Sequence, residues 1–374
     1  MSNIATALHE RIESLSKEIL DDKKHLDDAL ALFINSPVST IERDQGSIDV
    51  YKYFLYPFKG TTLVNHAIYE KISHYLADLI PKDTEVIVSI ESDGIGVASF
   101  IGAKLGLPVV ICKTYHYGED CTPFIQKAGY HERTMYLPKA IKGKQVAVVD
   151  CMISTGGTIR AMLEAIKSIS DTSIAGVYCI NNKTNYGEQK DTFEGHAYNY
   201  VFNTWINKED KVEATITKDI TRIFWEHIDK KFFELAKNSA QLSNFSKNGY
   251  QVGALIVAAD TFEIVAHGYR RGNIHAEHDA ITMMKHNCPD WEKRNFTLYT
   301  TLEPCTYRNG NGYTSCSQLI NDIPQIRWVV VGRCDKEDDI ICGNGLKTLN
   351  KHKHIRLIET GEILRCPNDV PHII

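Results

Sequence analysis

The segment QVAVVDCMISTGGTIRAMLEAIKSI, Gln145 to Ile169, constrains the fold more than any other part of the chain. Its first half is an apolar run ending in a carboxylate, which predicts a buried strand. Its second half places Ile159, Met162, Leu163 and Ile166 three or four apart, the spacing of a helix face. Two glycines and a Ser-Thr pair join the halves. A strand that turns through a short Gly loop into a helix is the repeating unit of a parallel α/β sheet.

The same rhythm extends to both sides. EVIVSI, PVVICK and IAGVYCI read as further strands, with a helix over GVASFIGAKLG. The polar stretch Asn181 to Glu194 reads as a loop, and VFNTWI as one more strand of the same domain. A boundary is expected near Val212, followed by a helix over about Lys218 to Leu242. VGALIVA and FEIVAHG then predict a hairpin, and FTLYT, RWVVVG and IRLIE the later strands of a second α/β unit. At the front, Ile4, Leu8, Ile12, Leu15, Ile19 and Leu20 recur at helical spacing, which predicts a helical cap or dimer element and thus a homo-oligomer. With 374 residues and roughly 150 residues per domain, the expected division is a helical extension over 1–48, a parallel-sheet domain over 49–212 and an α/β/α domain over 213–374.

The apolar fraction of 43% and the charged fraction of 24% are those of a globular protein, and no apolar run approaches a membrane span. The N-terminus lacks the apolar core of a secretory signal, so a cytoplasmic protein is expected. Ten cysteines at irregular spacing argue for thiols and metal ligands rather than a disulfide framework. A net charge of −5 gives no global footprint for nucleic acid, although Tyr269-Arg270-Arg271 offers a local basic patch. The expected partners are small molecules: a base, a nucleotide or PRPP. A protein partner stays open.

In the second half, IHAEHDAITMMK carries His275 and Glu277 at the start of a helical pattern, and TLEPCTYRNGNGYTSCSQLI carries Cys305 and Cys316. One imidazole and two thiolates can hold zinc and leave a fourth position for water. A carboxylate beside the metal can then take the water's proton and deliver it to a ring nitrogen and departing ammonia, a role that Glu277 is placed to fill. His-Ala-Glu followed by Pro-Cys and a later Cys resembles the signature of the zinc-dependent cytidine/deoxycytidylate deaminase superfamily over about 232–358. The long spacer Thr306 to Ser315 is most similar to the riboflavin-pathway pyrimidine deaminases, though about two residues longer, and NGNGY within it is expected to shape an unusual pocket. The resemblance further implies a substrate contact at Asn248. No reductase-like segment follows before Ile374, which counts against simple membership of the riboflavin pathway and leaves a free-standing deaminase open.

In the first half, backbone N–H groups of Ser154, Thr155, Gly156, Gly157 and Thr158, with the positive end of the following helix, form a site suited to a 5′-phosphate. Asp150 would reach ribose hydroxyls. Residues 50–180 resemble the type I phosphoribosyltransferases of the purine kind, particularly the archaeal-type hypoxanthine or adenine transferases. That resemblance implies that the loop Glu91, Ser92, Asp93, Gly94 cradles pyrophosphate, that Lys113 contacts it, that Mg²⁺ accompanies PRPP, and that a mobile loop over about Gln126 to Met135 closes over the reaction. Two departures stand out. The second of the family's adjacent acids is Cys151 here, and Asp93 places a carboxylate inside the pyrophosphate loop.

Three functional readings follow from the residues. Both halves are enzymes of nucleotide metabolism, or only the zinc half is catalytic and the front half senses a nucleotide, or the chain is an effector of an anti-phage system. Zn²⁺ is the expected cofactor in all three.

Overall fold

The computed structural model describes residues 2–44, 48–59, 63–116, 118, 120–128, 131–184, 187–243, 251–307, 314–335, 343–358 and 363–364. The chain divides into two compact units, one of Asp22–Phe224 and one of Met1–Asp21 with Trp225–Ile374. Among the described residues no helix is long and apolar enough to cross a membrane.

Helix α1 (Ser2–Ile34) is shorter than the helical extension expected over 1–48, because a strand begins at Val38. Its buried positions are Leu8, Leu15, Ile19, Leu26, Ala29 and Phe33. Leu20, counted with that face in the sequence, is exposed, because one residue beyond Ile19 turns about 100° away from the stripe. The hairpin β1 (Val38–Asp44) and β2 (Ile48–Phe54) follows, and then α2 (His66–Ala77), capped by the Asn65 side chain accepting from the Ala67 N–H.

The strands β3 (Val86–Ile90), β4 (Val109–Cys112), β7 (Gln145–Ile153), β8 (Ser173–Lys183), β10 (His196–Ile206) and β11 (Val212–Ile216) form the main sheet of the first unit in the order β11-β10-β8-β7-β3-β4. All neighbours are parallel except β10 and β11. Helices α3 (Gly94–Leu105) and α4 (Gly157–Lys167) follow β3 and β7, giving two strand–loop–helix units. The strands β5 (Cys121–Ala128) and β6 (His131–Pro138) pair as a separate antiparallel hairpin, and β9 (Thr192–Phe193) pairs with the start of β10. The core joins Val86, Val88 and Ile90 to Val146, Val148, Ile159, Met162 and Ile166.

One expectation fails here. Asn181 to Lys183, read as the start of a loop, continue β8. Their amide donors are paired inside the sheet: Asn181 Nδ2 donates to Thr204 Oγ1 at 2.9 Å, and Asn182 Nδ2 to Asn203 Oδ1 at 3.0 Å. A buried amide with a partner across the strand does not end a strand.

In the second unit, β12 (Gly253–Ala258), β13 (Ile264–Tyr269), β14 (Phe296–Thr300), β15 (Ile326–Val331), β16 (His354–Leu357) and β17 (Ile363–Leu364) form a sheet in the order β13-β12-β14-β15-β16-β17. The predicted hairpin is β12–β13, and β14, β15 and β16 run parallel. Helix α5 (Lys218–Ala240) precedes the sheet; α6 (Ala276–Asn287), α7 (Cys316–Asn321) and α8 (Asn344–Leu349) connect its strands. Gly253 lets α5 come close: a Cβ there would lie 2.6 Å from the Ala240 nitrogen.

Candidate functional site

The metal-binding geometry is set by two helix starts and one strand exit. His275 is the N-cap of α6 in an extended conformation, which turns its ring across the first helical turn. Cys316 opens α7, where the Ser315 side chain accepts from the Gln318 N–H. Cys305 follows the end of β14. His275 Nδ1 lies 3.5 Å from Cys305 Sγ and 3.4 Å from Cys316 Sγ, and the three atoms form the only such cluster among the described residues. A tetrahedral zinc ion with ordinary Zn–N and Zn–S lengths separates nitrogen from sulfur by about 3.5 Å, so the donor set fits zinc in both chemistry and spacing. Thiolate character is already favoured at Cys305. Hydrogen bonding from the Cys316 thiol, opposed by burial and joined by His275 and the Cys316 N–H, holds its thiol well below the ordinary value.

Glu277 lies in the first turn of α6 and is buried. Its Oε2 is 3.5 Å from Cys316 Sγ, and Thr300 Oγ1 donates to its Oε1 at 3.3 Å. Burial pushes its pKa up, so the carboxyl takes a proton more readily than an exposed glutamate. Behind it, Asp279 accepts from the Tyr269 N–H at 3.2 Å and pairs with Arg271, which fixes α6 against the end of β13. The expected basic patch thus has one of its arginines engaged with a carboxylate.

Three positions of this site were not singled out in the sequence. Thr300 holds the Glu277 carboxylate. Glu303, inside TLEPC, accepts from the N–H groups of Asp335, Gly343 and Leu346 at 3.3, 3.0 and 3.1 Å, tying the Cys305 loop to the start of α8. Gly345 allows that approach, because a Cβ there would collide with the Pro304 carbonyl. The partner of the Gly343 N–H, Glu303, lies 40 residues earlier, so no local spacing in the sequence announces it. Asn248 and the NGNGY run fall outside the described residues. A cavity of about 630 Å³ in this unit is lined by Phe233, Lys237, Gln251, Thr301, Gly332 and Arg333 among others, and none of the three zinc-ligating residues is among them.

In the first unit, β7 delivers Asp150 and Cys151 to the start of the Gly loop. Asp150 is 7% exposed, and its Oδ1 accepts from the Cys151 N–H at 2.7 Å. Burial, reinforced by Asp93 and opposed by the Cys151 bonds and Lys59, pushes its carboxyl from 3.8 up to about 7. The Cys151 thiol is buried and driven well above its ordinary value, mainly by that burial and the nearby Asp150, so it stays neutral. Tyr56 Oη donates to the Cys151 carbonyl at 2.6 Å from within the ring cluster of Phe33, Phe54 and Phe58.

Ser154 and Thr155 are exposed, and α4 begins at Gly157. Gly156 takes φ 78°, and a Cβ there would lie 2.6 Å from Phe193 Cζ. Arg160 spans the outside of the loop, donating to the Thr155 carbonyl at 2.9 Å and packing over the Phe193 ring. The hairpin β5–β6 reaches the same loop: Gln126 Nε2 donates to Thr158 Oγ1 at 3.0 Å, and Arg133 donates to the Gln126 side chain and the Glu91 carbonyl.

The second loop lies alongside. A Cβ on Gly94 would be 3.3 Å from Asp150 Oδ1, so this glycine and that carboxylate face one another. The Glu91–Ser92 peptide is cis. Glu91 accepts from both the N–H and the hydroxyl of Thr114; those bonds outweigh burial and lower its pKa. Lys113 Nζ donates to Tyr115 Oη at 3.1 Å.

Comparison with known proteins now assigns both units. The phosphoribosyl transferase domain family matches residues 60–212, and the cytidine and deoxycytidylate deaminase zinc-binding region matches residues 226–333. A hypoxanthine/guanine phosphoribosyltransferase of Methanosarcina acetivorans is 33% identical over 138 residues, 36% of this chain and 69% of its own length. The protein so named in Methanosarcina barkeri is 32% identical over 161 residues, 42% of this chain and 81% of its own. Among solved structures, adenine phosphoribosyltransferase of Thermoanaerobacter pseudethanolicus aligns with 47% of this chain and 97% of its own, at 17% identity and a TM-score of 0.37. The diaminohydroxyphosphoribosylaminopyrimidine deaminase/5-amino-6-(5-phosphoribosylamino)uracil reductase of Thermotoga maritima aligns with 36% of this chain and only 37% of its own, at 28% identity and a TM-score of 0.31. The chain belongs to the phosphoribosyltransferase family through its first domain. Its second is a zinc-binding domain of the cytidine and deoxycytidylate deaminase kind.

Proposed function

We propose that the second domain hydrolytically deaminates a pyrimidine-like base or nucleotide, and that the first binds PRPP or a nucleotide 5′-phosphate. The convergence of His275 Nδ1, Cys305 Sγ and Cys316 Sγ beside a buried carboxylate carries this reading. Zinc held by those three residues supplies a water acidified towards neutral pH. Glu277 would take one proton from that water and pass it to the ring nitrogen as the water oxygen bonds to the amino-bearing carbon, then move the remaining hydroxyl proton to the amino group as the C–N bond breaks and ammonia leaves. Its raised pKa suits a group that must accept and then give up a proton. Thr300 keeps one carboxylate oxygen fixed while the other faces the metal ligands.

In the first domain, the loop Ser154 to Thr158 takes the 5′-phosphate and Asp150 the ribose hydroxyls, with Mg²⁺ accompanying PRPP if transfer occurs. Buried, neutral Cys151 favours a second reading of that domain: a nucleotide sensor with impaired transferase chemistry that regulates the deaminase.

Mass spectrometry of candidate bases, nucleosides and nucleotides incubated with the protein, with and without PRPP, tests the whole reading. Exchange of an amino group for oxygen reports deamination, and gain or loss of phosphoribose reports transfer. Glu277→Gln should lower the deamination rate about 10²- to 10⁴-fold while zinc content stays near one per chain. Full activity in that variant, or a wild-type protein that binds no zinc, would remove the deaminase.

A further inference from the structure

The two anion loops of the first domain are not equally open. Asp93 is the N-cap residue of α3, a helix of 12 residues whose first N–H groups make its start favourable to an anion. Its Oδ2 is 3.4 Å from Lys59 Nζ, and its Oδ1 accepts from Ser92 Oγ at 3.0 Å. A carboxylate and an ammonium from the chain itself therefore stand at the mouth of this loop.

The remaining cations around it are also committed within the protein. Arg133 is bonded to Gln126 and to the Glu91 carbonyl. Lys113 donates to Tyr115 Oη and lies over that ring at 5.3 Å. The 5′-phosphate loop is different: from Ser154 to Thr158 it contains no carboxylate, and its two leading hydroxyl side chains are exposed.

We infer that this pocket takes a nucleoside 5′-monophosphate in preference to PRPP, because Asp93, paired with Lys59, puts a carboxylate into the loop that would have to take the diphosphate. The inference rests on the nucleotide-binding reading of the domain. PRPP would bring a multiply charged anion beside Asp93, Glu91 and Asp150. Bridging it with Mg²⁺ would require the metal to displace Lys59 from Asp93. A monophosphate nucleotide has no group at that end, so it meets neither cost. Its ribose hydroxyls face Asp150, whose carboxyl, with a pKa of about 7, can accept or donate a hydrogen bond near neutral pH.

Calorimetric titration of the full chain with AMP, GMP, IMP, CMP and UMP, and with PRPP, each with and without Mg²⁺, tests the inference. At least one monophosphate should bind about tenfold or more tightly than PRPP with Mg²⁺. Asp93→Asn should strengthen PRPP binding about tenfold relative to the monophosphate, about 1.4 kcal/mol. Asp93 is partly exposed, so the substitution leaves no buried cavity. PRPP binding tighter than every monophosphate, or an unchanged ratio in Asp93→Asn, overturns the inference and leaves the nucleotide-binding reading standing. If none of the six compounds binds, that reading falls too.

Discussion

Replacing Asp150 with Asn probes the electrostatics of the phosphoribosyl pocket while keeping its shape. The carboxyl is buried, and its pKa is raised from 3.8 to about 7, chiefly by that burial. Below pH 3.8 the folded and unfolded chains both carry the proton, so the group costs nothing. Between 3.8 and about 7 the unfolded chain releases the proton and the folded chain keeps it, so stability falls as pH rises; above 7 the penalty is complete. At about 1.36 kcal/mol for each pH unit between the two values, the penalty is about 4 kcal/mol at pH 8 and under about 2 kcal/mol at pH 5. Asn keeps an oxygen for the Cys151 N–H, 2.7 Å away in the wild type, and carries no charge. Asp150→Asn should therefore slow opening of β7 far more at pH 8 than at pH 5. Hydrogen exchange of the peptide spanning residues 145–153, read in the whole chain and corrected for intrinsic rates, measures this. A gain equal at both pH values, or a loss at pH 8, would refute the argument.

Two substitutions test the second domain. Gly345→Ala pushes a Cβ into the Pro304 carbonyl and the Glu303 side chain; it should cost about 1–3 kcal/mol and lower zinc content, read by thermal unfolding and metal analysis. A variant with wild-type values for both would show that the Glu303 tie does not position Cys305. Asp229→Asn removes the partner of Arg356, whose guanidinium lies 2.6 Å from Asp229 and packs against the Trp225 and Trp328 rings. Leaving that charge buried and unpaired should cost about 3–5 kcal/mol in denaturant unfolding followed by tryptophan fluorescence, and a cost under about 1 kcal/mol would mean that water reaches the arginine.

What the sequence revealed depended on how far each signal reached along the chain. The strand–loop–helix around Asp150 and the pairing of His275 with Glu277 are local, written in spacing that a helix or strand imposes by itself. Cys305 and Cys316, two of ten cysteines, were legible only through the combined pattern of His-Ala-Glu followed by Pro-Cys and a later Cys. The Asn181–Lys183 extension of β8 was misread because polarity normally marks a loop, and only the partners Thr204 and Asn203 on the next strand turn it into sheet. Thr300 and Glu303 went unnoticed for a related reason. Each is an ordinary residue whose role is set by what it meets across the fold, at Glu277 for one and at the start of α8 for the other.

The two departures in the first domain show how a visible residue can carry a hidden meaning. Asp93 looked like a defect in a pyrophosphate loop, a charge that would repel the ligand. Beside Lys59, 34 residues earlier, it is half of an ion pair at the N-terminus of α3. Cys151 looked like a lost acid, yet its thiol is buried rather than facing an open pocket. Restoring an acid there would bury a second carboxylate beside Asp150, already raised to about 7 by burial. On the proposed reading, the absence of the second acid and the presence of Asp93 act together: one lowers the negative charge beside Asp150, and the other adds a carboxylate to the loop that would take a diphosphate. Both changes favour a ligand that carries its phosphate at the 5′ end alone.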